Sequence, residues 1–280
     1  MTNPATYEMN DFYFKNICNK NILLTDDNLL NVKLVSILLT QIGMKVQTAK
    51  NGVEAVNKLK TAIFDIVLMD IEMPVMSGKQ AAVIIREDLK NNIPIIAMSA
   101  NYSPGEKDSC LQLGMNDYIL KPINSDQLFA AIYDLTCCRK RAEKNNGITQ
   151  ALKPAGLTEK VCNIDYLVSV TRGNKEMMNN IINVFLEETP EELTALADAI
   201  EKTNYTSISD IAHKIKSSFA ILGISVLESV FEKMENLGTL SSGIEIISQL
   251  NQQVHFVFNQ VKIEMELTYI KKGNPVEIGS

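Results

Sequence analysis

Asp26 and Asp27 close the apolar run NILLT, Asp70 closes IVLM, Ser99 closes IIAM and Lys121 closes YIL; these polar run ends carry the chemistry of the N-terminal half. Each alone has an ordinary explanation. Asp27 ahead of NLLNVKLVSILL can cap a helix, Ser99 can serve a turn, and Lys121 before Pro122 can be solvated. If the four runs are strands of one sheet, however, three carboxylates stand a few ångströms apart. Each close pair then repels by about 4 kcal/mol at an effective dielectric of about 20, so the group needs a cation. All-oxygen ligation, with positions left for water and phosphate, suits Mg2+ better than Zn2+, which would favour His or Cys. Beside such a cation Asp70 is a carboxylate nucleophile, Lys121 a fixed positive charge and Ser99 a hydroxyl donor, a set able to accept a phosphoryl group. This half contains no histidine and no Gly-rich phosphate cradle, so the donor must be something other than a tightly bound nucleotide.

A second reactive group lies far downstream, in DIAHKIKSSFAILGI, Asp210 to Ile224. At about 100° per residue, Ile208, Ile211, Ala212, Ile215, Phe219 and Leu222 share one helix face, and His213, Ser217 and Ala220 point the opposite way. His213 is therefore expected to face water. Lys216, one turn on, can neutralise phosphoryl oxygens carried by the ring, while small Ser217 and Ala220 let another surface come close. A merely solvated histidine is the plainer alternative. The other histidine, His255, falls beside the stripe of Ile247, Leu250, Val254, Phe258 and Val261, and reads as a solvated or boundary residue. Met177, Met178, Met234 and Met265 read as packing or surface scatter.

Alternating short apolar runs and helical patterns from Lys20 to about Thr136 imply βα units and a parallel sheet. Apolar residues run through each strand because such a sheet is covered on both faces, which leaves the polar residues at the carboxyl ends, the ligand-binding edge of open α/β sheets. CCRKRAEKNNGITQALKPAGLTEK reads as a linker. From about Val161 to Ile270 only helical patterns occur, interrupted at RGN, TP, TNYTS and LGTLSSG, which implies a helical bundle. The expected division is an N-terminal segment 1–18, an α/β domain 19–137, a linker 138–158, a helical domain 159–270 and a tail 271–280. At 280 residues, 46% hydrophobic and 21% charged, both domains can bury cores. A net charge of −6 disfavours direct nucleic-acid or anionic-membrane partners. Five cysteines without metal-ligand spacing suggest reduced thiols in the cytoplasm, and no apolar run reaches the roughly eighteen residues of a membrane span.

ILLTDDN, DIVLMDIEMPVMSG, IIAMSAN and DYILKP, in this order and spacing, closely resemble the receiver domain of two-component response regulators over about residues 20–136. The resemblance implies a flavodoxin-like, doubly wound, parallel five-stranded sheet. It implies that Asp70 is phosphorylated, that Asp27 ligates Mg2+ directly and Asp26 largely through water, and that the Glu72 backbone carbonyl completes the protein ligands. Ser99 and Lys121 would bind phosphoryl oxygens, and Tyr118 would be the aromatic switch paired with Ser99. Ser77 stands where Asp is frequent and Ser99 where Thr is common. Glu72 and Asn101 occupy positions that in this family tune acyl-phosphate lifetime.

The stretch from NIDYLVSVTRGN through DIAHKIKSSFAILGI to the last helices resembles the histidine-containing phosphotransfer domain, over about residues 160–268. That implies a four-helix bundle with His213 as phosphoacceptor and donor, flanked by Lys216 and Ser218, with Ser217 in place of the more usual glycine. The order of domains resembles the C-terminal half of a hybrid sensor kinase. The chain shows neither a second histidine in a dimerisation helix nor Gly-rich ATP-binding boxes, so the expected protein is a phosphorelay component lacking its own kinase domain. Its partners would be a sensor histidine kinase as phosphodonor and a downstream receiver domain. The competing reading is a binding switch in which the receiver changes shape and the bundle is a docking scaffold with His213 idle.

Overall fold

The computed structural model of the protein describes residues 17–100, 104–137 and 162–270. Two compact units divide the chain, Met1–Leu157 and Thr158–Ser280. The expected linker 138–158, the tail 271–280 and Asn101 lie outside the described residues, as does nearly all of the N-terminal segment.

In the first unit, strands β1 (Asn21–Thr25), β2 (Lys45–Ala49), β3 (Ile66–Asp70), β4 (Ile95–Ser99) and β5 (Asp117–Leu120) alternate with helices α1 (Leu29–Gln41), α2 (Gly52–Thr61), α3 (Gly78–Glu87), α4 (Pro104–Gln112) and α5 (Ser125–Thr136). All pairings are parallel and the strand order is β2-β1-β3-β4-β5. The central strands β3 and β4 are buried at every position, as covered parallel strands must be. Side chains alternate between two cores. Leu23, Val67, Met69, Ile95 and Ala97 join Ala55, Ala81, Ala82, Ile85 and Cys110 of α2, α3 and α4, while Ile22, Leu24, Ile66, Leu68, Ile96 and Met98 point the other way and are equally buried.

Local signals set the helix starts. Asn28 caps α1 by accepting from the Leu30 and Asn31 amides, so the cap that the sequence allowed Asp27 to supply belongs to its neighbour. Ser77 and Gln80 form a capping box that starts α3 immediately after the loop following Asp70. Gly78, next to that cap, lies so close to the Asp70 carbonyl that a Cβ there would overlap it.

Among the described residues the second unit contains α6 (Asp165–Thr171), α7 (Lys175–Glu201), α8 (Tyr205–Ile221), α9 (Glu228–Thr239), which follows a short 3-10 turn, and α10 (Ile244–Met265), which runs on into a π-helical segment, Glu266–Ile270. One phenylalanine from each long helix meets at its centre. Phe185 of α7 packs edge-on to Phe219 of α8 with centroids 5.2 Å apart, Phe219 meets Phe231 of α9 at 5.5 Å, and Phe185 meets Phe258 of α10 at 5.9 Å. This is a four-helix bundle. The expected break at TP does not occur, because α7 runs through Pro190. A mid-helix proline costs about 3 kcal/mol, and α7 is held on both sides of it by buried Ile181, Ile182, Phe185, Leu193 and Leu196. Tertiary burial outweighs the local preference.

Candidate functional site

The first cluster forms where the strand order reverses, between β1 and β3, the place at which doubly wound sheets leave a crevice at their carboxyl ends. Asp26 and Asp27 follow β1 and Asp70 ends β3; one carboxylate oxygen from each lies within 4.8 Å of the others. Lys121 follows β5, two strands from β3, where its amide donates to the Ser99 carbonyl at 2.7 Å. Its Nζ lies 2.7 Å from Asp70 Oδ2 and 2.8 Å from Asp26 Oδ2. Asp26 is held from its other side, Oδ1 accepting from the Asn28 amide at 2.9 Å and from Asn31 Nδ2 at 3.3 Å.

Asp26, Asp70 and the Lys121 side chain are almost wholly removed from water, so charge decides the behaviour of this site. Burial pushes the Asp70 carboxyl up to about 8; Lys121 opposes that shift, and the negative charges of Asp26 and Asp27 add to it. Burial lowers Lys121, but Asp26 and Asp70 outweigh it and hold its ammonium above the ordinary lysine value. Asp70 Oδ1 is buried with no hydrogen-bond partner among the described residues. A buried carboxylate oxygen of this kind, beside two further carboxylates, fits a hard, oxygen-seeking cation.

Beside this group Ser99, at the end of β4, donates from Oγ to Glu106 Oε2 at 3.1 Å, and Tyr118 of β5 donates its hydroxyl to the same oxygen at 3.3 Å. Tyr118 is 9% exposed and belongs to one of the two cores. Burial pushes its hydroxyl up to about 12, a hydrogen bond with Ser99 opposing and Glu106 adding, so it remains a proton donor at neutral pH. Glu72 is exposed in the loop after β3.

In the second unit the expectation that His213 faces water is overturned: the residue is 9% exposed, and Lys216 and Ser217 are 8% and 7% exposed. The single-helix projection correctly turns His213 away from the stripe of Ile208, Ala212, Ile215 and Phe219, but α9 covers that other side. Gly238 of α9 makes the approach possible, since a Cβ there would crowd the Tyr205 carbonyl and Ser209 Cβ of α8. From α9, Glu235 places Oε1 3.3 Å from His213 Nδ1 and Oε2 3.4 Å from Lys216 Nζ; Glu232 lies 3.8 Å from the same ammonium. Lys216 is thus already engaged by carboxylates. Ser218 donates back along its own helix to the Lys214 carbonyl at 3.4 Å, Ala220 is exposed, and His255 is exposed as expected.

Two residues of these sites escape sequence reasoning. Glu106 looks like an ordinary first-turn acid of α4, a favourable place on dipole grounds alone. Glu235 does leave a trace: with Phe231, Met234 and Gly238 it completes the i, i+3, i+4, i+7 positions of the buried face of α9, a carboxylate where an apolar residue is expected.

An acidic, lysine-bridged crevice on a doubly wound sheet, and a carboxylate-paired histidine on a four-helix bundle, define a receiver and a phosphotransfer domain. Residues 22–133 match the family model of the response regulator receiver domain and residues 180–266 that of the Hpt domain. The chain thus carries a response regulator receiver domain followed by an Hpt domain. It is similar to the sensor histidine kinase GacS of Pseudomonas protegens, 29% identical over 222 residues that make up 77% of this chain and 24% of that protein. It is also similar to the signal transduction histidine-protein kinase BarA of Escherichia coli, 26% identical over 221 residues, 76% of this chain and 23% of that protein. This chain therefore spans about a quarter of the length of those relatives. Among solved structures, the receiver domain of sensor histidine kinase PA1611 from Pseudomonas aeruginosa, with a magnesium ion in its active-site cleft, is 34% identical at a TM-score of 0.40, covering 42% of this chain and 98% of that one. Among the described residues no helix is long and apolar enough to cross a membrane.

Proposed function

We propose that Asp70 is the residue that takes a phosphoryl group from the phosphohistidine of a sensor kinase, and that His213 exchanges a phosphoryl group with a receiver aspartate. The observation that carries this reading is the state of Asp70: Oδ2 is anchored on Lys121, whereas Oδ1 is buried without a hydrogen bond among the described residues. In the first step an Asp70 oxygen forms a P–O bond while the donor's P–N bond breaks, and the imidazole leaves with the electron pair. Lys121 and the Ser99 hydroxyl bind the phosphoryl oxygens.

Asp26, Asp27 and Asp70 are the side chains that would hold Mg2+, with the Glu72 carbonyl as a further ligand; the bound cation would neutralise charge on the phosphoryl oxygens. The carboxylate set fits it, because a lone lysine leaves three clustered acids under-compensated.

At His213, Glu235 faces Nδ1, which favours the tautomer with the proton on Nδ1 and leaves the Nε2 lone pair to attack phosphorus. A P–N bond forms there as the P–O bond of an acyl phosphate breaks and its carboxylate is released, while Glu235 balances the positive ring. Lys216 neutralises the phosphoryl oxygens once it turns from Glu235 and Glu232. The phosphodonor is a sensor histidine kinase, the partner of His213 is a receiver domain, and the setting is the cytoplasm.

The test is phosphotransfer from a labelled histidine kinase in Mg2+ to the intact chain, Asp70→Asn and His213→Gln, followed by a receiver. Base-labile label lost in Asp70→Asn, and acid-labile label lost in His213→Gln, are the expected results. Label on Asp70 with none on His213, from any kinase or phosphorylated receiver tried, would leave the bundle as a docking scaffold.

A further inference from the structure

A hydroxyl has a single proton to donate. Ser99 donates to Glu106 Oε2 at 3.1 Å and also makes a hydrogen bond with Tyr118, so these partners of its hydroxyl lie on the α4–β5 side. Tyr118 gives its own to the same oxygen at 3.3 Å, and Lys79 of α3 donates to the other, Oε1, at 3.3 Å. One carboxylate therefore gathers the two residues of the expected switch, from β4 and β5, and ties them to the helix that begins just after the Asp70 loop. Only 18% of the Glu106 side chain is exposed, which makes these bonds stronger than surface bonds. The titratable groups facing it are Lys79, Tyr118 and the buried Cys110 one turn along α4.

We propose that Glu106 is a positioning residue that holds Ser99 in the resting arrangement, so that a phosphoryl group on Asp70 must compete with the Glu106 carboxylate for the Ser99 hydroxyl. This rests on the reading of Asp70 as the phosphoacceptor. When Ser99 turns to a phosphoryl oxygen, Glu106 loses one of its two hydroxyl donors and keeps Lys79 and Tyr118. The carboxylate thereby sets how far the equilibrium lies toward rest, and it links the occupancy of Asp70 to the position of α4. Glutamine at the same place can donate its amide to Ser99, which frees the hydroxyl proton for the phosphoryl group without removing the side chain.

The experiment uses the intact chain with Mg2+ and beryllium fluoride, a phosphoryl mimic for aspartate, and reads its affinity by fluorine NMR. Glu106→Gln and Glu106→Ala are expected to bind it roughly tenfold more tightly than the parent, the size of one hydrogen bond to a charged group. In a Ser99→Ala background the same substitutions are expected to change affinity by less than about twofold, since the competing donor is gone. Unchanged or weaker affinity in both single variants, with the parent saturating normally, overturns the proposal alone. A gain that survives in Ser99→Ala also overturns it, because removal of negative charge would then be the cause. A parent that shows no saturable, Mg2+-dependent binding would sink the receiver reading and this proposal with it.

Discussion

The two candidate phosphoryl sites are built in opposite ways. The first crevice draws Asp26 and Asp27, Asp70, Ser99 and Lys121 from the ends of four different strands, spread over about a hundred residues and joined only by the sheet. The His213 site takes its imidazole and ammonium from one helical turn, and both face the Glu235 carboxylate of the next helix. In the first, like charges are forced together and one buried lysine holds two of them. In the second, one acid serves two basic groups. A site assembled across strands depends on the fold being intact and on a counter-cation.

The sharpest way to break this contrast is to remove each lysine. Lys121→Ala leaves Asp26 and Asp70 buried without their ammonium, and is expected to destabilise the first unit by about 3–5 kcal/mol without divalent cation. Hydrogen exchange of β3 amides in the full chain would read this, and Mg2+ should recover part of the loss, by RT ln(1 + [Mg2+]/Kd). Lys216→Ala removes a nearly buried partner from Glu235, which keeps His213, and should cost the bundle less, about 1–3 kcal/mol by exchange of α8 amides. Equal losses would erase the distinction.

Gly78→Ala tests the dependence of the first site on fold geometry, because the added Cβ would overlap the Asp70 carbonyl. A loss of about 2–3 kcal/mol is expected, together with slower phosphoryl uptake, measured by exchange and by label incorporation. Glu235→Gln probes the carboxylate that both basic groups of the second site face. Phosphoryl transfer through His213 should slow about tenfold, or about 1.4 kcal/mol in the barrier, with bundle stability changed much less; an unaltered single-turnover rate would deny Glu235 its part. The smallest effect is expected at Val75, in the loop after Asp70. This β-branched residue adopts φ 69° while 84% exposed, a conformation costing about 1–2 kcal/mol that no packing repays. Val75→Asn should therefore stabilise the first unit by about 1 kcal/mol, measured as a higher urea midpoint.

Legibility in the sequence follows the same division. Asp26, Asp27, Asp70, Ser99 and Lys121 were readable because each sits at the end of an apolar run, and parallel strands place all such ends on one edge. Tyr118 was readable as to strand, but only the packed core shows it buried with its hydroxyl on Glu106. His213 was assigned to the correct helix face and the wrong environment. A projection describes the helix that bears a residue and contains nothing about the helix packed across from it, and here α9 covers the histidine with Glu235.

Strand-end chemistry, the βα alternation, the change to helical periodicity and the composition of each helix stripe are properties of neighbours along the chain, and these the amino-acid order alone determined. The continuity of α7 through Pro190, the meeting of Ser99, Tyr118 and Lys79 on Glu106, and the burial of His213 belong to residues distant in sequence. Tertiary structure alone decided them, because burial and hydrogen bonding are settled by which surfaces close on one another. Those energies exceed the local preferences that a sequence displays.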